Sequence, residues 1–269
     1  MSSHLTKPTD EFRPTFTGSR QERLWIRESL GMFYEDCWFT DVLYRVKGGK
    51  EATVYCCRAH PSTGLDLLAA KVFRPRIFRA MRNDSLYKIG RPILDSQSKT
   101  VYDTRSLRAL KNKSGYGRWL DTTSWCHHEY RALVDLHAAG ASVPRPLATS
   151  TNAILMEYLG DEERGAPILH SVHVDEEEAQ VLFDRLIEDV EIMLSCYRVH
   201  ADLSAYNVLY WEGEGRLIDF PQVIDALRHP EAFALFARDI DRLCRYFTRR
   251  GLETDPVGLA FELWARWIG

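Results

Sequence analysis

The sequence lacks any long apolar segment. Its uninterrupted apolar runs extend over only a few residues, although 45% of its 269 residues are hydrophobic. A helix that crosses a membrane needs roughly 20 consecutive apolar residues. The first residues, MSSHLTKPTDEF, also lack the apolar region of a secretory signal peptide. We therefore expect a soluble, cytoplasmic protein with no membrane partner.

Cysteine pairs with metal-binding spacing are also missing. The six cysteines form no C-x-x-C pair and no cluster with histidine at the spacing of a zinc site. The pattern predicts reduced thiols with a structural role. It does not indicate a zinc-binding protein.

The chain has little net charge, but its charges are unevenly distributed. The formal net charge is −3, which by itself indicates no polyanionic partner. The segment from Arg74 to Arg118, however, contains 12 Lys and Arg residues but only three Asp residues. Aromatic residues are interleaved with these cations, namely Phe78, Tyr87, Tyr102, Tyr116 and Trp119. Two interpretations stay open for this segment: a solvated flexible loop, or a contact with RNA or a ribosomal particle.

The first half of the sequence predicts a small antiparallel sheet. Residues up to about 20 are polar and without apolar periodicity, which predicts a mobile tail. Three strand-like runs then follow in succession, DVLYRV, ATVYCCRA and LDLLAAKVF. After the basic segment, DTTSWCHHEYRALVDLHAAG has capping residues and helical apolar spacing, and a strand pair is predicted around residues 150–152.

The second half predicts mainly helices. The segment DEEEAQVLFDRLIEDVEIMLSCYR is amphipathic and begins with acidic residues, which suit the positive end of a helix. Two further helical patterns close the chain, in PEAFALFARDIDRLCRYFTRRG and DPVGLAFELWARWIG. A polar segment lies between the first of these helices and the other two.

That polar segment carries the densest chemical signal. It reads HADLSAYN over residues 200–207, followed by a strand, a glycine-containing turn and a second strand that ends at Asp219. A carboxylate, an amide five residues later and a carboxylate across a hairpin are the groups that a phosphoryl-transfer site needs. Asp202 would orient or deprotonate the nucleophile, whereas Asn207 and Asp219 offer hard oxygen ligands to Mg²⁺. Such ligands suit Mn²⁺ as well.

Lys71 is the second chemical signal. It lies inside the apolar strand LAAKVF, where an ammonium group without a partner is costly to bury. The α- and β-phosphates of ATP and a helix carboxylate would supply partners, and Glu129 is the natural candidate for the carboxylate. A lysine that reaches solvent at the sheet edge is the alternative.

A glycine turn between the first two strands is the third signal. The segment KGGKEATV, residues 47–54, can bring backbone N–H groups near phosphates. The G-x-x-x-x-G-K-[ST] spacing of a Walker A loop is missing, and a strand rather than a helix follows. Taken alone, the turn is typical of an ordinary hairpin.

Taken together, these motifs resemble those of the RIO family of atypical serine/threonine protein kinases. GKEATVY, AAKVF, the helix with Glu129, HADLSAYN and LIDFPQ occur in the order of the family, from about Gly48 to about Phe247. Ala201 stands where ordinary kinases have the arginine of H-R-D, and an A-P-E element is absent, both as in RIO proteins. Too few residues precede Gly48 for a winged-helix domain, so the resemblance is to the branch without one.

The resemblance implies roles for individual residues. Asp202 matches the catalytic aspartate, Asn207 and Asp219 match the metal ligands, and Asp219 can itself accept the phosphoryl group. The hinge that contacts adenine matches the segment with Met156, Glu157 and Leu159. The remaining residues expected to bind ATP are Gly48, Gly49, Lys50, Glu51, Ala52, Val54, Lys71 and Glu129. Lys71 is also expected to be catalytic.

The expected fold is α+β and protein-kinase-like, with two lobes and ATP in the cleft between them. We predict a tail over residues 1–20, an N-terminal lobe over 21–158 with an antiparallel sheet, a helix and a flexible basic insert at 74–118, and a mainly helical C-terminal lobe over 159–269. The expected activity is ATP- and Mg²⁺-dependent phosphoryl transfer, as a serine/threonine kinase or an aspartyl-phosphate ATPase, which the resemblance links to ribosome maturation.

Two other functions stay open on sequence grounds. Small-molecule kinases of the aminoglycoside or choline type also carry H-x-D-x-x-x-x-N followed by I-D-F. A nucleotide-gated RNA-binding assembly factor would use ATP only to choose its conformation.

Overall fold

The computed structural model describes residues 12–49, 51–74, 87 and 89–269. Their contacts divide the chain into two compact units. The first unit comprises residues within 1–80, 94–127 and 146–165, and the second comprises residues within 81–93, 128–145 and 166–269. Each unit is therefore assembled from separate segments of the chain.

A five-stranded antiparallel sheet forms the centre of the first unit. Its strands are β1 (Phe39–Gly48), β2 (Ala52–Ala59), β3 (Leu67–Phe73), β4 (Pro146–Thr149) and β5 (Ala153–Glu157). They lie in the order β1-β2-β3-β5-β4, and a 3₁₀ turn, Pro61–Thr63, lies between β2 and β3. The three successive strands and the later strand pair predicted from the sequence are confirmed.

Helix α1 (Arg20–Glu35) covers one face of this sheet. Ser19 caps the helix by accepting from the backbone N–H of Glu22 at 3.1 Å. The buried side chains Ile26, Leu30 and Phe33 recur at helical spacing and form one face of α1. They share a core with alternate strand residues, namely Tyr55, Cys57, Leu68, Ala70, Val72, Ala153 and Leu155. The alternation of side chains along β3 directs Lys71 to the opposite face.

Residues 12–19, which lie within the predicted mobile tail, contact other residues of the first unit; the mobility of the tail stays a prediction. Phe12 is only 8% exposed and stacks on Tyr34 with 4.8 Å between ring centroids. The backbone N–H of Phe16 donates to the carbonyl of Val42 at 3.1 Å. Isolated aromatic residues anchor this segment, and such residues leave no periodic pattern in a sequence. The part of the predicted tail at 1–11 lies outside the described residues.

The described part of the basic segment is more regular than predicted. Helix α2 (Thr104–Lys111) begins at Asp103, whose carboxylate accepts from the N–H of Ser106 at 2.8 Å. Helix α3 (Gly115–Ala138) follows directly and begins six residues before the predicted Asp121. A local cap and the contact between the hydroxyl groups of Ser106 and Tyr116 therefore give α2 and the start of α3 regular structure, whereas the flexibility of the insert stays a prediction. Residues 75–86 and 88 lie outside the described residues.

Three helices lie entirely within the second unit. They are α4 (Glu176–Ser195), α5 (Ala232–Thr248) and α6 (Pro256–Trp267), and a short 3₁₀ turn, Leu169–Ser171, precedes them. Asp175 and Asp255 cap α4 and α6 through the backbone N–H groups of Glu178 and Gly258. Aromatic rings join α5 to α6, with 5.5 Å between the centroids of Phe236 and Trp264. The three predicted helices are confirmed.

Two short strand pairs complete the second unit. β6 (Arg198–Val199) pairs with β9 (Ile224–Asp225), and β7 (Val208–Trp211) forms a hairpin with β8 (Glu214–Leu217). The segment 200–207 connects β6 to β7. Strand pairs therefore fix both ends of the segment 200–207, which contains a predicted catalytic residue and one predicted metal ligand.

The α+β fold class is confirmed, with an antiparallel sheet in one unit and helices dominating the other. The predicted lobe boundary between residues 158 and 159 differs from the division into units, because residues 159–165 group with the sheet and residues 128–145 with the second unit. The lobes stay a prediction. Among the described residues, no helix is both long enough and apolar enough to cross a membrane.

Candidate active site

The loop at residues 200–207 is anchored by His200. This side chain is 2% exposed, and its Nε2 lies 3.1 Å from the carbonyl oxygen of Ile218. Burial lowers the pKa of His200, so the ring is neutral near pH 7 and Nε2–H donates to this carbonyl. The bond joins the start of the loop to the residue before Asp219.

Asn207 closes the same loop on Asp202. Its side-chain Nδ2 donates to the backbone oxygen of Asp202 at 2.8 Å, and its own N–H donates to the carbonyl of Ser204 at 2.8 Å. The first bond fixes the nitrogen side of the amide, so the amide oxygen is the atom that Asn207 can offer to a cation. Asn207 is 9% exposed, so its orientation is strongly constrained.

Asp219 lies at the open end of the β7–β8 hairpin, next to Asn207. Val208 pairs with Leu217, and the N–H of Ile218 donates to the carbonyl of Asn207 at 3.0 Å. Asp219 has φ +71, a left-handed conformation that non-glycine residues adopt at a cost. The hairpin therefore brings the two predicted metal ligands to adjacent backbone positions, as the sequence predicts.

Helix α5 contributes contacts to this loop that the sequence reading missed. Arg242 Nη1 lies 2.9 Å from Asp202 Oδ1, and Arg238 Nη2 donates to the carbonyl of Ala201 at 2.5 Å. Asp239 lies between them and is 2% exposed. Burial raises the pKa of Asp239 to about 7, although the N–H of Leu203 lowers it in part. A sequence signal existed, because Asp239 interrupts the apolar face of α5.

The glycine turn links β1 to β2 in the first unit. Gly48 pairs with Thr53, and the N–H of Gly49 donates to the carbonyl of Ala52 at 2.9 Å. The carbonyl of Glu51 accepts from the N–H of Arg74 at 2.8 Å. The hairpin predicted between the first two strands is confirmed, and Lys50 lies outside the described residues.

Lys71 occupies the middle of the sheet. It pairs with Val54 on β2 and Ile154 on β5, and it is 9% exposed. Its Nζ lies 5.4 Å from the centroid of the Phe73 ring, within the range of a cation–π contact. The alternative of a lysine that reaches solvent at a sheet edge is wrong, because β3 has a neighbouring strand on each side.

Glu129 lies on the part of α3 that belongs to the second unit. It is 1% exposed. Burial lowers the pKa of Arg91 to about 10, and the negative charge of Glu129 opposes this shift. The Arg91 guanidinium also donates to the carbonyl of Val223. Arg91 is a cationic neighbour of Glu129 that the sequence did not indicate, and the pairing of Glu129 with Lys71 stays a prediction.

The predicted hinge residues Met156, Glu157 and Leu159 lie at the end of β5 and just beyond it. Met156 pairs with Ala69, and Glu157 pairs with Leu68. The loop that follows folds back on β1, where the hydroxyl groups of Tyr158 and Tyr44 are 2.6 Å apart. A side chain at Gly165 would place its Cβ 2.8 Å from Val46 Cγ1, so glycine permits this close approach.

Comparison with known proteins identifies related sequences. The family model described as RIO domain matches residues 82–257, more than half of the chain. The RIO-type serine/threonine-protein kinase Rio1 of Thermoplasma acidophilum is 35% identical over 132 residues, which cover 49% of this chain and 68% of that protein. Serine/threonine-protein kinase RIO1 of Chaetomium thermophilum is 30% identical over 80% of this chain, yet the match spans only 41% of that protein.

Solved structures show the same fold. The Rio2 kinase from Chaetomium thermophilum superposes with a TM-score of 0.61 at 20% identity, covering 89% of this chain and 66% of that one. The complex of the same kinase described as ADP/Mg²⁺-phosphoaspartate gives a TM-score of 0.60 at 20% identity, covering 87% and 64%. The prediction of a protein-kinase-like architecture is therefore confirmed.

Proposed function

The chain belongs to the RIO family of atypical serine/threonine protein kinases, and we propose that it transfers the γ-phosphoryl group of ATP. One observation carries the proposal: the hydrogen bonds of the loop at 200–207 and of the β7–β8 hairpin hold Asp202, Asn207 and Asp219 in one constrained segment. In phosphoryl transfer, the protein acts mainly through positioning and electrostatic stabilisation. A rigid set of two carboxylates and an amide suits that task.

Asp202 is the group that orients the attacking oxygen. Its carboxylate is 41% exposed, so an acceptor can reach it. When a serine or threonine hydroxyl attacks the γ-phosphorus, Asp202 accepts its hydrogen bond and then its proton. The bond between the γ-phosphorus and the bridging oxygen breaks, and ADP leaves with the electron pair.

Asn207 and Asp219 would hold Mg²⁺. An amide oxygen and a carboxylate are hard donors, and two protein ligands are typical of a magnesium ion that also binds nucleotide phosphates. Among the described residues, no group of three or more His, Cys, Asp or Glu side chains forms a complete metal site by itself. The bound cation would neutralise phosphate charge. Mn²⁺ accepts the same donors.

The first unit would supply nucleotide contacts. Lys71 would bind the α- and β-phosphates, and the turn with Gly48, Gly49, Lys50, Glu51 and Ala52 would cover the phosphates. The carboxylate proposed as the second partner of Lys71 is Glu129, which belongs to the second unit. Met156, Glu157 and Leu159 would contact adenine through backbone groups, and Val54 would pack against the base. The position of Lys71 within a five-stranded sheet supports this assignment, because the strands on each side fix its backbone.

Asp219 is the proposed acceptor in an ATPase cycle. A carboxylate oxygen of Asp219 attacks the γ-phosphorus, ADP leaves, and water later hydrolyses the acyl phosphate to release phosphate and regenerate the carboxylate. The phosphoaspartate in the description of the related Rio2 structure supports this route for the family. Serine/threonine autophosphorylation is the other route.

Labelling with γ-³²P-ATP and Mg²⁺ distinguishes these routes. The wild type, Asp219→Asn and Asp202→Asn are incubated with labelled ATP and then treated with hydroxylamine, which cleaves acyl phosphates. Label that hydroxylamine removes and that Asp219→Asn lacks supports the ATPase cycle, and stable label supports serine/threonine phosphorylation. Nucleotide binding without label or hydrolysis in the wild type would contradict phosphoryl transfer to the protein.

The names of the relatives favour a protein kinase over a small-molecule kinase of the aminoglycoside or choline type. A panel of aminoglycosides and amino-alcohols tests this choice by ADP release. We expect no stimulation, and a rise in ADP release above about tenfold with one compound would favour the small-molecule kinase. A cytoplasmic location and a link to ribosome maturation are part of the proposal only through family resemblance.

A second activity, RNA binding, is favoured by the exposed surface of α2 and α3. The basic–aromatic surface comprises exposed cations and two exposed aromatic residues, Arg105, Arg108, Lys111, Lys113, Arg118, Tyr116 and Trp119. The rings of Tyr116 and Trp119 are stacked, with centroids 5.8 Å apart. No acidic residue occurs between Asp103 and Asp121. Cations that neutralise phosphates and rings that stack on bases are the two components of single-strand recognition.

Fluorescence anisotropy with a labelled single-stranded RNA tests this surface. Trp119→Ala should weaken binding by about 5- to 100-fold, the range for loss of one stacked base. Arg185→Ala, an exposed cation on α4, is the matched control and should change little. RNA binding that is absent, or that is unaffected by Trp119→Ala, would contradict the proposed surface while leaving the phosphoryl-transfer proposal untouched.

A further inference from the structure

Helix α5 contacts three consecutive residues of the loop at 200–207. Arg238 donates to the carbonyl of Ala201, Arg242 pairs with the carboxylate of Asp202, and the buried Asp239 faces the N–H of Leu203. Arg238 and Arg242 are four residues apart and therefore lie on the same side of the helix. One helix face thus supports the whole start of the loop.

The pair formed by Arg242 and Asp202 is far more exposed than the contact of Asp239 with the N–H of Leu203. Each of the two side chains is 41% exposed, whereas Asp239 is 2% exposed. Ion pairs at such exposed positions contribute little to folding. A contribution of Arg242 is therefore expected in the geometry of the carboxylate that it contacts rather than in the stability of the fold.

The contacts of Asp202 distinguish its two carboxylate oxygens. Oδ1 lies 2.9 Å from Arg242 Nη1, and Oδ2 lies 3.5 Å from Asn207 Nδ2. The distance to Asn207 is long for a hydrogen bond, so the guanidinium is the stronger of the two contacts. The contact with Arg242 restrains Oδ1, so Oδ2 is the oxygen that can face an acceptor hydroxyl or water.

We infer that Arg242 is a positioning residue for phosphoryl transfer: its guanidinium holds Oδ1 of Asp202 so that Oδ2 receives the hydrogen bond of the attacking group. The inference rests on the proposed role of Asp202. Arg242 is proposed to act through Asp202, the side chain with which it pairs. Its loss should therefore slow turnover without weakening the binding of ATP.

Steady-state kinetics with Arg242→Met and Arg242→Lys test this role. Methionine keeps much of the apolar stem and removes the charge, and we expect kcat to fall about 10- to 100-fold, as for a misplaced catalytic group, with KM for ATP unchanged. Lysine keeps the charge and should recover part of the lost kcat. Arg245→Met is the matched control, because Arg245 lies on the same helix and pairs with Asp241 at 3.0 Å. It should leave kcat within about twofold of the wild type.

A double-mutant cycle separates positioning from a general effect on the fold. In the Asp202→Asn background, Arg242→Met should change the residual kcat by less than about twofold, because the carboxylate that it positions is gone. An equal loss in both backgrounds, or an unchanged kcat for Arg242→Met in the wild-type background, would overturn the inference. Full activity of Asp202→Asn alone would instead overturn the proposed function.

Discussion

The two units hold their candidate residues in different ways. In the first unit, Lys71 is placed by the register of β3 with β2 and β5, so its position follows from regular backbone pairing. In the second unit, Asp202 lies in an irregular loop that depends on contacts with Asn207 and Arg242. Strand register is set by repeated pairing along the sheet, whereas a loop needs individual side-chain contacts. Substitutions in the two units should therefore have different consequences.

The largest effect is expected from Asp202→Asn. The amide cannot accept a proton, so kcat should fall about 100- to 10,000-fold, the usual contribution of a general base. The Kd for Mg²⁺-ATP should stay within a fewfold of the wild type, because Asp202 acts on the acceptor. Rapid-quench kinetics and isothermal titration calorimetry measure the two quantities. A large loss of ATP affinity would contradict the proposed difference between Asp202, which acts on the acceptor, and Lys71 of the first unit, which binds the nucleotide.

Asp239→Asn should change how stability depends on pH. The folded-state pKa of Asp239 is raised to about 7 from an ordinary 3.8, so the folded protein binds a proton more tightly than the unfolded chain. The stability linked to this proton is complete below about pH 4 and is lost as the pH rises through 7. Between pH 5 and pH 8, the free energy of unfolding of the wild type should fall by about 2 to 3 kcal/mol relative to that of Asp239→Asn.

Urea unfolding at pH 5 and pH 8 measures this difference. Asp241→Asn is the control on the same helix, because Asp241 is partly exposed and pairs with Arg245. Asp241→Asn should change the free energy of unfolding by the same amount at both pH values. A constant difference between Asp239→Asn and the wild type would show that Asp239 is ionised throughout, contrary to the account of a buried carboxyl group.

Lys71→Met should act on nucleotide binding. Loss of a charged hydrogen-bond donor to the phosphates should weaken the affinity for Mg²⁺-ATP by about 10- to 100-fold. Affinity for adenosine, which has no phosphates, should change little. Titration calorimetry with both ligands provides the comparison, and equal losses for ATP and adenosine would indicate a damaged sheet rather than a lost phosphate contact.

The smallest effect is expected from Tyr44→Phe. The substitution removes the hydrogen bond between the hydroxyl groups of Tyr44 and Tyr158, which lies in the first unit. Such a bond contributes about 0.5 to 1.5 kcal/mol to the free energy of unfolding. Chemical denaturation measures the loss, and kcat at saturating ATP should not change. A fall in kcat at saturating ATP would show that the loop after β5 affects turnover directly.

The sequence predicted the elements whose signals are local. Strands β1 to β3 have alternating or continuous apolar runs, and the segment from His200 to Asp219 contains its polar groups within one short stretch. The contact of Arg242 with Asp202 joins residues 40 positions apart, and no periodicity encodes such a pair. The packing of Phe12 escaped prediction for the same reason, since a single aromatic residue in a polar segment has no pattern.

The dependence of ATP affinity on Mg²⁺ tests the central claim, that Asn207 and Asp219 hold the cation that binds the phosphates. The Kd for ATP is measured by titration calorimetry with Mg²⁺ and with EDTA, for the wild type, Asn207→Ala and Asp219→Asn. We predict tighter binding with Mg²⁺ in the wild type and a loss of most of that enhancement in both variants. The same enhancement in all three proteins would contradict the assignment of the metal ligands.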